Sequence, residues 1–290
     1  MDSGIRNPVL RFVVYGHVWL ALGAALQVWW IGRVFFVADT RVTVAIGCGT
    51  FAIYGLIRLF RLPGPPQAGA HHLIWFRENK KWMIVLIGLA MVASFLAILP
   101  LLYELWPALA IPAIISLLYV LPMEFTHGRI IGLRRIPFMK SLWISLVWAA
   151  VSVLVPASLD HGTRSTSMIF LLFIMQTTFI HSLMIPFDMR DRPFDLVSLR
   201  TVPQVFGDRA ARIIAVILGL VPVLISGFFV FHAYAHGAYV LPYLLPIPGF
   251  MLSVWLVSLA SSPRSESYYL VWLDGTLVLV ALLGLLGTVL

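Results

Sequence analysis

The sequence predicts an all-α, polytopic integral membrane protein with about nine transmembrane helices. Three observations carry that prediction. The chain has 290 residues, of which 61% are hydrophobic and only 11% charged. A soluble domain carries roughly a quarter charged residues, so this chain cannot cover its surface with polar groups. Apolar runs of about 20 residues recur along it, long enough to cross a bilayer as helices. The runs are also continuous, whereas barrel strands alternate in polarity over ~10 residues.

The spans follow in order, at 12–31, 42–60, 82–102, 106–121, 138–155, 167–186, 210–231, 241–261 and 268–290. The first is preceded by Arg6 and Arg11 and exceeds a secretory apolar core, which reads as an uncleaved span. The fourth is short and holds Pro107 and Pro112, which predict a kink. The sixth runs directly into an acidic stretch. Gly207 and Asp208 predict a break and cap ahead of the seventh. Residues 1–290 read as one transmembrane domain, with no repeat or soluble module. A single cysteine, Cys48, excludes an intrachain disulfide.

Charge orients the spans. Seventeen of the 20 lysines and arginines fall on one side of the nine-span layout, and only Arg33, Arg41 and Arg164 on the other. By the positive-inside rule the N-terminus is cytoplasmic and the C-terminus outside, as in a cell inner (plasma) membrane. The net charge of +8 is thus read as membrane anchoring and not as a nucleic-acid footprint. The three long polar connections, 61–81, 123–137 and 187–209, all face the cytoplasm, so chemistry is expected there.

One of those connections opens with "PFDMRDRPFD", residues 186–195. Asp188, Asp191 and Asp195 are spaced i, i+3, i+7, which places them on one face of a helix. Grouped carboxylates repel unless a cation neutralises them, and magnesium bridges such groups to phosphates. The bland alternative is a solvated loop whose acids pair with Arg190 and Arg192. Pro193 is expected to kink or end the helix.

The stretch "DMRDRPFDLVSLRTVPQVFGDRAAR" resembles the second aspartate-rich motif of the UbiA superfamily of membrane prenyltransferases. "AIYGLIRLFR" at 52–61, "GLRRIPFMKSLWISLVWA" at 132–149 and "YYLVWLDG" at 268–275 are similar to other stretches of that superfamily, in the same order. The resemblance implies a UbiA-like helical bundle around a central cavity. It implies transfer of an isoprenyl group from an isoprenyl diphosphate to an aromatic or other lipophilic acceptor, with Mg2+. On that reading Asp188, Asp191 and Asp195 hold the metal, and Asp191 and Asp195 are the catalytic acids. Arg58, Arg61, Lys80, Arg134 and Arg200 are the basic residues for the diphosphate.

The first motif departs from the family. Where an Asn and acids are expected, this chain has Gly55, Ile57 and Arg61, and no acid occurs between Asp39 and Glu78. Half of the metal site is therefore missing. Arginines at that position can bind a diphosphate but cannot hold magnesium. The competing reading is a UbiA-like lipid-diphosphate-binding or accessory protein without turnover. A transporter would show paired broken helices or internal repeats, and a CDP-alcohol phosphotransferase a different spacing ahead of its acids.

Smaller signals remain. His232 and His236, at i, i+4 without a third ligand, read as structural or interfacial. His71 and His72 read as solvated. Asp274, about six residues into the last span, needs a partner, since intramembrane acids are costly; a cap or an interfacial salt bridge is the expectation. Gln176 and Thr177 read as bridges between helices. Glu124 and His127 are expected at the cavity mouth.

Overall fold

A computed structural model describes residues 5, 7–61, 71–120, 133, 136–161, 165–193, 195–261 and 264–290, with residue 61 described by its backbone alone. The described residues form helices and connections, with no strand among them. That is what a lipid environment demands, because an α-helix satisfies its backbone groups internally.

The helices run α1 (Pro8–Tyr15), α2 (Val18–Phe35), α3 (Thr40–Arg61), α4 (His71–Glu78), α5 (Lys80–Ile98), α6 (Leu102–Val120), α7 (Met139–Ala149), α8 (Val155–Ser158), α9 (Thr166–Asp191), α10 (Val202–Ala235), α11 (Leu241–Leu244), α12 (Pro246–Ser258) and α13 (Asp274–Leu286). Eight helical stretches among the described residues are long and apolar enough to cross a membrane. One of these, Lys80–Val120, has 41 residues, about twice what a bilayer needs. A 3-10 turn at Leu99–Leu101 divides it into α5 and α6, so the nine expected spans each have a helical counterpart. Pro100 lacks an N–H, which favours an interruption at this point.

Neighbouring helices close a ring. α2 packs on α3 and α13, α13 on α12, α12 on α10, α10 on α9, α9 on α7, and α7 on α6, which returns to α3. α5 lies against α3 outside that ring. The main core is apolar, with Trp30, Phe179, Phe250 and Tyr269 almost fully buried. A polar tie crosses it. Gln27 Nε2 donates to the Leu277 carbonyl at 2.7 Å, and Gln176 Nε2 donates to Gln27 Oε1 at 3.0 Å. Gln176 thus bridges α9 to α2 and α13 as expected, whereas the Thr177 hydroxyl is buried without a partner.

The local breaks follow the sequence. α9 ends at Asp191, two residues ahead of Pro193. Thr201 and Gln204 form a capping box at the start of α10, with the Thr201 N–H donating to Gln204 Oε1 at 2.9 Å. Gly207 has φ 77° and ψ 168°, so α10 is two helices joined at a kink. That conformation suits glycine because it lacks a Cβ. Two π-helical segments were not anticipated: Ala150–Leu154 between α7 and α8, and Tyr268–Leu273 leading into α13.

Candidate functional site

The C-terminal part of α3, the start of α7 and the C-terminal part of α9 meet the start of α13 around a cavity. Its apolar wall includes Ile53, Ile57, Ile180, Leu183 and Leu277, and its aromatic wall Tyr54, Tyr119, Trp143, Trp148 and Phe187. Its charged residues are Arg58 from α3, Lys140 from α7, Asp188, Arg190 and Asp191 from α9, and Asp274 from α13. A mostly apolar cleft with a few converging polar groups is the usual form of a small-molecule site.

The three aspartates converge, but only Asp188 and Asp191 do so from one helix; Asp195 lies past the end of α9, and all three meet a lysine. Lys140 is 6% exposed. Its Nζ lies 3.0 Å from Asp188 Oδ1 and 3.7 Å from Asp191 Oδ2, and it hydrogen-bonds Asp195 Oδ2. The backbone around it fixes this position. Phe138, immediately before α7, takes φ 64° and its N–H donates to the Leu199 carbonyl at 3.0 Å. Arg200, also left-handed at φ 46°, stacks its guanidinium 5.7 Å from the Phe138 ring centre. The start of α7 is therefore pinned to the turn that follows Asp195. Gln204 closes the same turn, donating to the Leu196 carbonyl at 3.2 Å.

Arg190 belongs to the same group, although its sequence position gave it only the role of a counter-charge. Its Nε donates to Asp191 Oδ1 at 2.8 Å. The guanidinium carbon lies 5.0 Å from the Phe187 ring centre and 5.2 Å from that of Tyr269. Its NH1 is buried with no hydrogen-bond partner. Asp188 Oδ2 and Trp143 Nε1 are buried and unpaired in the same way. Buried polar groups without partners are rare. Three of them, among the described residues, belong to side chains lining one cavity.

The remaining expected residues are distributed as follows. Arg58 lines the cavity. Lys80 is exposed at the start of α5 and is not among the lining residues; Arg200 is exposed and acts on Phe138 as described. Arg134, Glu124, His127 and the side chain of Arg61 lie outside the described residues. Arg192 pairs with Asp208 at 2.8 Å on the surface. Asp274 is 7% exposed and lines the cavity, and among the described residues its carboxyl has no salt bridge and no hydrogen bond. His232 and His236 are exposed at the end of α10 with ring centres 4.2 Å apart.

His72 corrects an expectation. It is 9% exposed rather than solvated, and its Nδ1 meets Glu266 Oε1 at 2.5 Å. Tyr15 donates its hydroxyl to Glu266 Oε2 at 3.1 Å. Burial, reinforced by the charge of Arg58, lowers the His72 pKa to about 4. Burial pushes Glu266 up, but hydrogen bonds from His72 and Tyr15 outweigh it and hold the carboxyl below its ordinary value. A neutral imidazole donating to a carboxylate therefore ties α4 to the segment before α13. The sequence could not reveal this, because His72 and Glu266 are 194 residues apart.

The fit of a magnesium ion can be judged from these residues. One buried, unpaired carboxylate oxygen, on Asp188, is in its favour. Against it, Lys140 stands among the three carboxylates and Asp191 also pairs with Arg190. Among the described residues no group of three His, Cys, Asp or Glu side chains is disposed to hold a metal ion. The ligand set expected from the sequence does not form a ready divalent-cation site.

Comparison with known proteins agrees with the fold. The model of the UbiA prenyltransferase family matches residues 76–275. No curated protein sequence matches the chain. Two solved structures of a UbiA homolog from Archaeoglobus fulgidus, one bound to DMAPP and Mg2+ and the other to GPP and Mg2+, share the fold. Each has a TM-score of 0.61, at 14% and 13% identity, over 97% of this chain and 99% of theirs. The helical membrane architecture and the family match lead to one statement: the chain belongs to the UbiA prenyltransferase family.

Proposed function

We propose that the chain binds an isoprenyl diphosphate at the cytoplasmic end of the bundle and transfers its isoprenyl group to an aromatic or other lipophilic acceptor. The observation that carries this reading is the pairing of an apolar, aromatic-walled cavity with buried, unpartnered polar atoms at one end. The tail would lie among Ile53, Ile180, Leu183 and Leu277, and the headgroup would meet Arg190 and Arg58. Arginine binds phosphate oxygens through a planar, bidentate fork.

The transfer breaks the allylic C–O bond, and its electron pair leaves with the diphosphate. The acceptor forms the new bond to the allylic carbon and releases a proton. Rings such as Tyr54, Trp148 and Phe187 would stabilise the developing cation through their faces, and the apolar wall would keep water from capturing it. The geometry favours Asp191 and Asp195 as positioning groups, through their contacts to Arg190 and Lys140. The UbiA homolog structures were bound with Mg2+. A magnesium ion on Asp188, Asp191 and Asp195 is left out of this reading because Lys140 already stands among them.

One observation favours the second reading, a binding or accessory protein without turnover. α3 faces the cavity with Ile57, where the family's first motif would place an acid, and with the neighbouring Arg58. The test is purified protein in detergent with labelled geranyl diphosphate and a panel of lipophilic phenols. Binding with product formation supports the transferase. Binding with no product for any acceptor leaves the accessory protein. No binding sinks both.

A further inference from the structure

We propose that the ammonium of Lys140 stands where a divalent cation would stand, so that the chain takes its diphosphate headgroup without magnesium. This rests on the reading of the cavity as an isoprenyl diphosphate site.

A lysine ammonium has three donors and no acceptor. Lys140 is directed at three carboxylates, those of Asp188, Asp191 and Asp195. Magnesium requires oxygens at about 2.0–2.1 Å in near-octahedral array. An ion drawing on these carboxylates would have to displace the ammonium from between them. The displaced charge would then be left in the bundle without its partners, which is among the costlier changes a protein can undergo. Nor can the lysine withdraw by a slide of α7, because Phe138 is bonded to the Leu199 carbonyl and stacked under Arg200.

The opposing wall supports the same conclusion independently. A paired metal site needs carboxylates from two sides, and the sequence has no acid from residue 40 to residue 77. α3 presents Arg58 to the cavity instead. The donors that a diphosphate would require are arginines. Arg190 packs against the neighbouring rings of Phe187 and Tyr269 and has its Nε bound to Asp191, which leaves a buried NH1 with no acceptor among the described residues. Metal-borne charge is here replaced by covalently attached charge: Lys140 offsets part of the charge of the three acids, with Arg190 pairing Asp191, and Arg190 NH1 and Arg58 face the anion.

The experiment has two measurements on the whole protein in detergent. Mn2+ is titrated by electron paramagnetic resonance, and labelled geranyl diphosphate is bound in EDTA and in excess Mg2+. We expect no stoichiometric Mn2+ site in the wild type, and geranyl diphosphate affinity that changes less than about threefold between EDTA and Mg2+. Arg190→Met should weaken binding at least about tenfold in EDTA. Lys140→Met should lose binding in EDTA, regain it with Mg2+, and acquire a Mn2+ site.

A wild-type Mn2+ site, or wild-type binding that collapses in EDTA, overturns the proposal. These two wild-type results decide the matter even where Lys140→Met does not fold. If geranyl diphosphate fails to bind under either condition while Mn2+ remains unbound by the wild type and bound by Lys140→Met, the substrate reading fails and the role of the ammonium stands.

Discussion

The guanidinium of Arg190 is held at its Nε by Asp191 and packs against the adjoining rings of Phe187 and Tyr269, and its NH1 is left without a partner among the described residues. A lysine at this position would keep the charge and lose both the planar stacking and the fork. Arg190→Lys is therefore expected to weaken geranyl diphosphate binding by about tenfold, roughly 1.4 kcal/mol, as measured by equilibrium binding. Unchanged affinity would mean that charge alone matters there. A second cluster, His72 with Glu266 and Tyr15, lies outside the spans and responds to acid. An unfolded chain protonates histidine near its ordinary 6.5, whereas folded His72 resists down to about 4. Its folded pKa is depressed, so the stability it contributes is complete above pH 6.5 and is lost as pH falls toward 4. Glu266, also depressed, loses its contribution in the same direction below its ordinary 4.5. The melting temperature in detergent should stay level above neutral pH and decline below pH 6.5, and His72→Gln should flatten that decline. An equal decline in the variant would assign the acid sensitivity elsewhere.

At the scale of elements, α3 is shaped by its packing on α5. Gly55 stands where the resemblance to the family would put an Asn, and a Cβ there would lie 2.5 Å from Ile87 Cδ1 and 2.6 Å from its Cγ1. Ile87 is 3% exposed, so it has little room to yield. α3 and α5 thus approach through the very position that would have carried a polar side chain. Gly55→Asn is expected to destabilise by about 1–3 kcal/mol through overpacking, and Ile87→Ala should recover part of the loss in a double-mutant cycle. Additive losses would show that the two side chains do not compete. The same junction shows how far the sequence could be read. Span positions were legible because hydropathy reports length and continuity. The Gly207 break was legible because glycine tolerates its φ. That Asp188 and Asp191 share a side was legible because helical spacing sets a face, whereas Asp195 joins them from beyond the end of α9. What the aspartates converge upon was not, since Lys140 is 55 residues from Asp195 in the chain and no local pattern joins them. Arg190 was hidden by company: a charge next to a charge reads as a surface pair until its burial is known.

At the scale of the molecule, the ring of helices is closed by packing and by a thin polar thread. Gln27, Gln176 and the Leu277 carbonyl join α2, α9 and α13 behind the cavity. Interhelical hydrogen bonds in membrane proteins average about 0.6 kcal/mol, but Gln27 makes two of them and both glutamines are 1% exposed. Gln27→Leu, which strands Gln176 and the carbonyl together, should cost about 1–3 kcal/mol, seen as a lower melting temperature in detergent. Gln176→Leu should cost less, because it leaves the bond to Leu277 intact. Equal effects would mean that the pair acts through packing and not through its hydrogen bonds.

The π-helical turn at Tyr268–Leu273 separates two of the features already described. Upstream of it Glu266 faces His72; downstream Asp274 faces the cavity. A π turn holds more residues than an α turn. The chain on either side is therefore out of step by a fraction of a revolution, on the order of 100° per residue. A sequence one residue shorter between these two acids could run as unbroken α-helix, but it would then aim only one of them correctly. The surplus residue lets a single helix serve both a latch at its mouth and a wall in its interior, and its length, more than its composition, is what a descendant of this chain must keep.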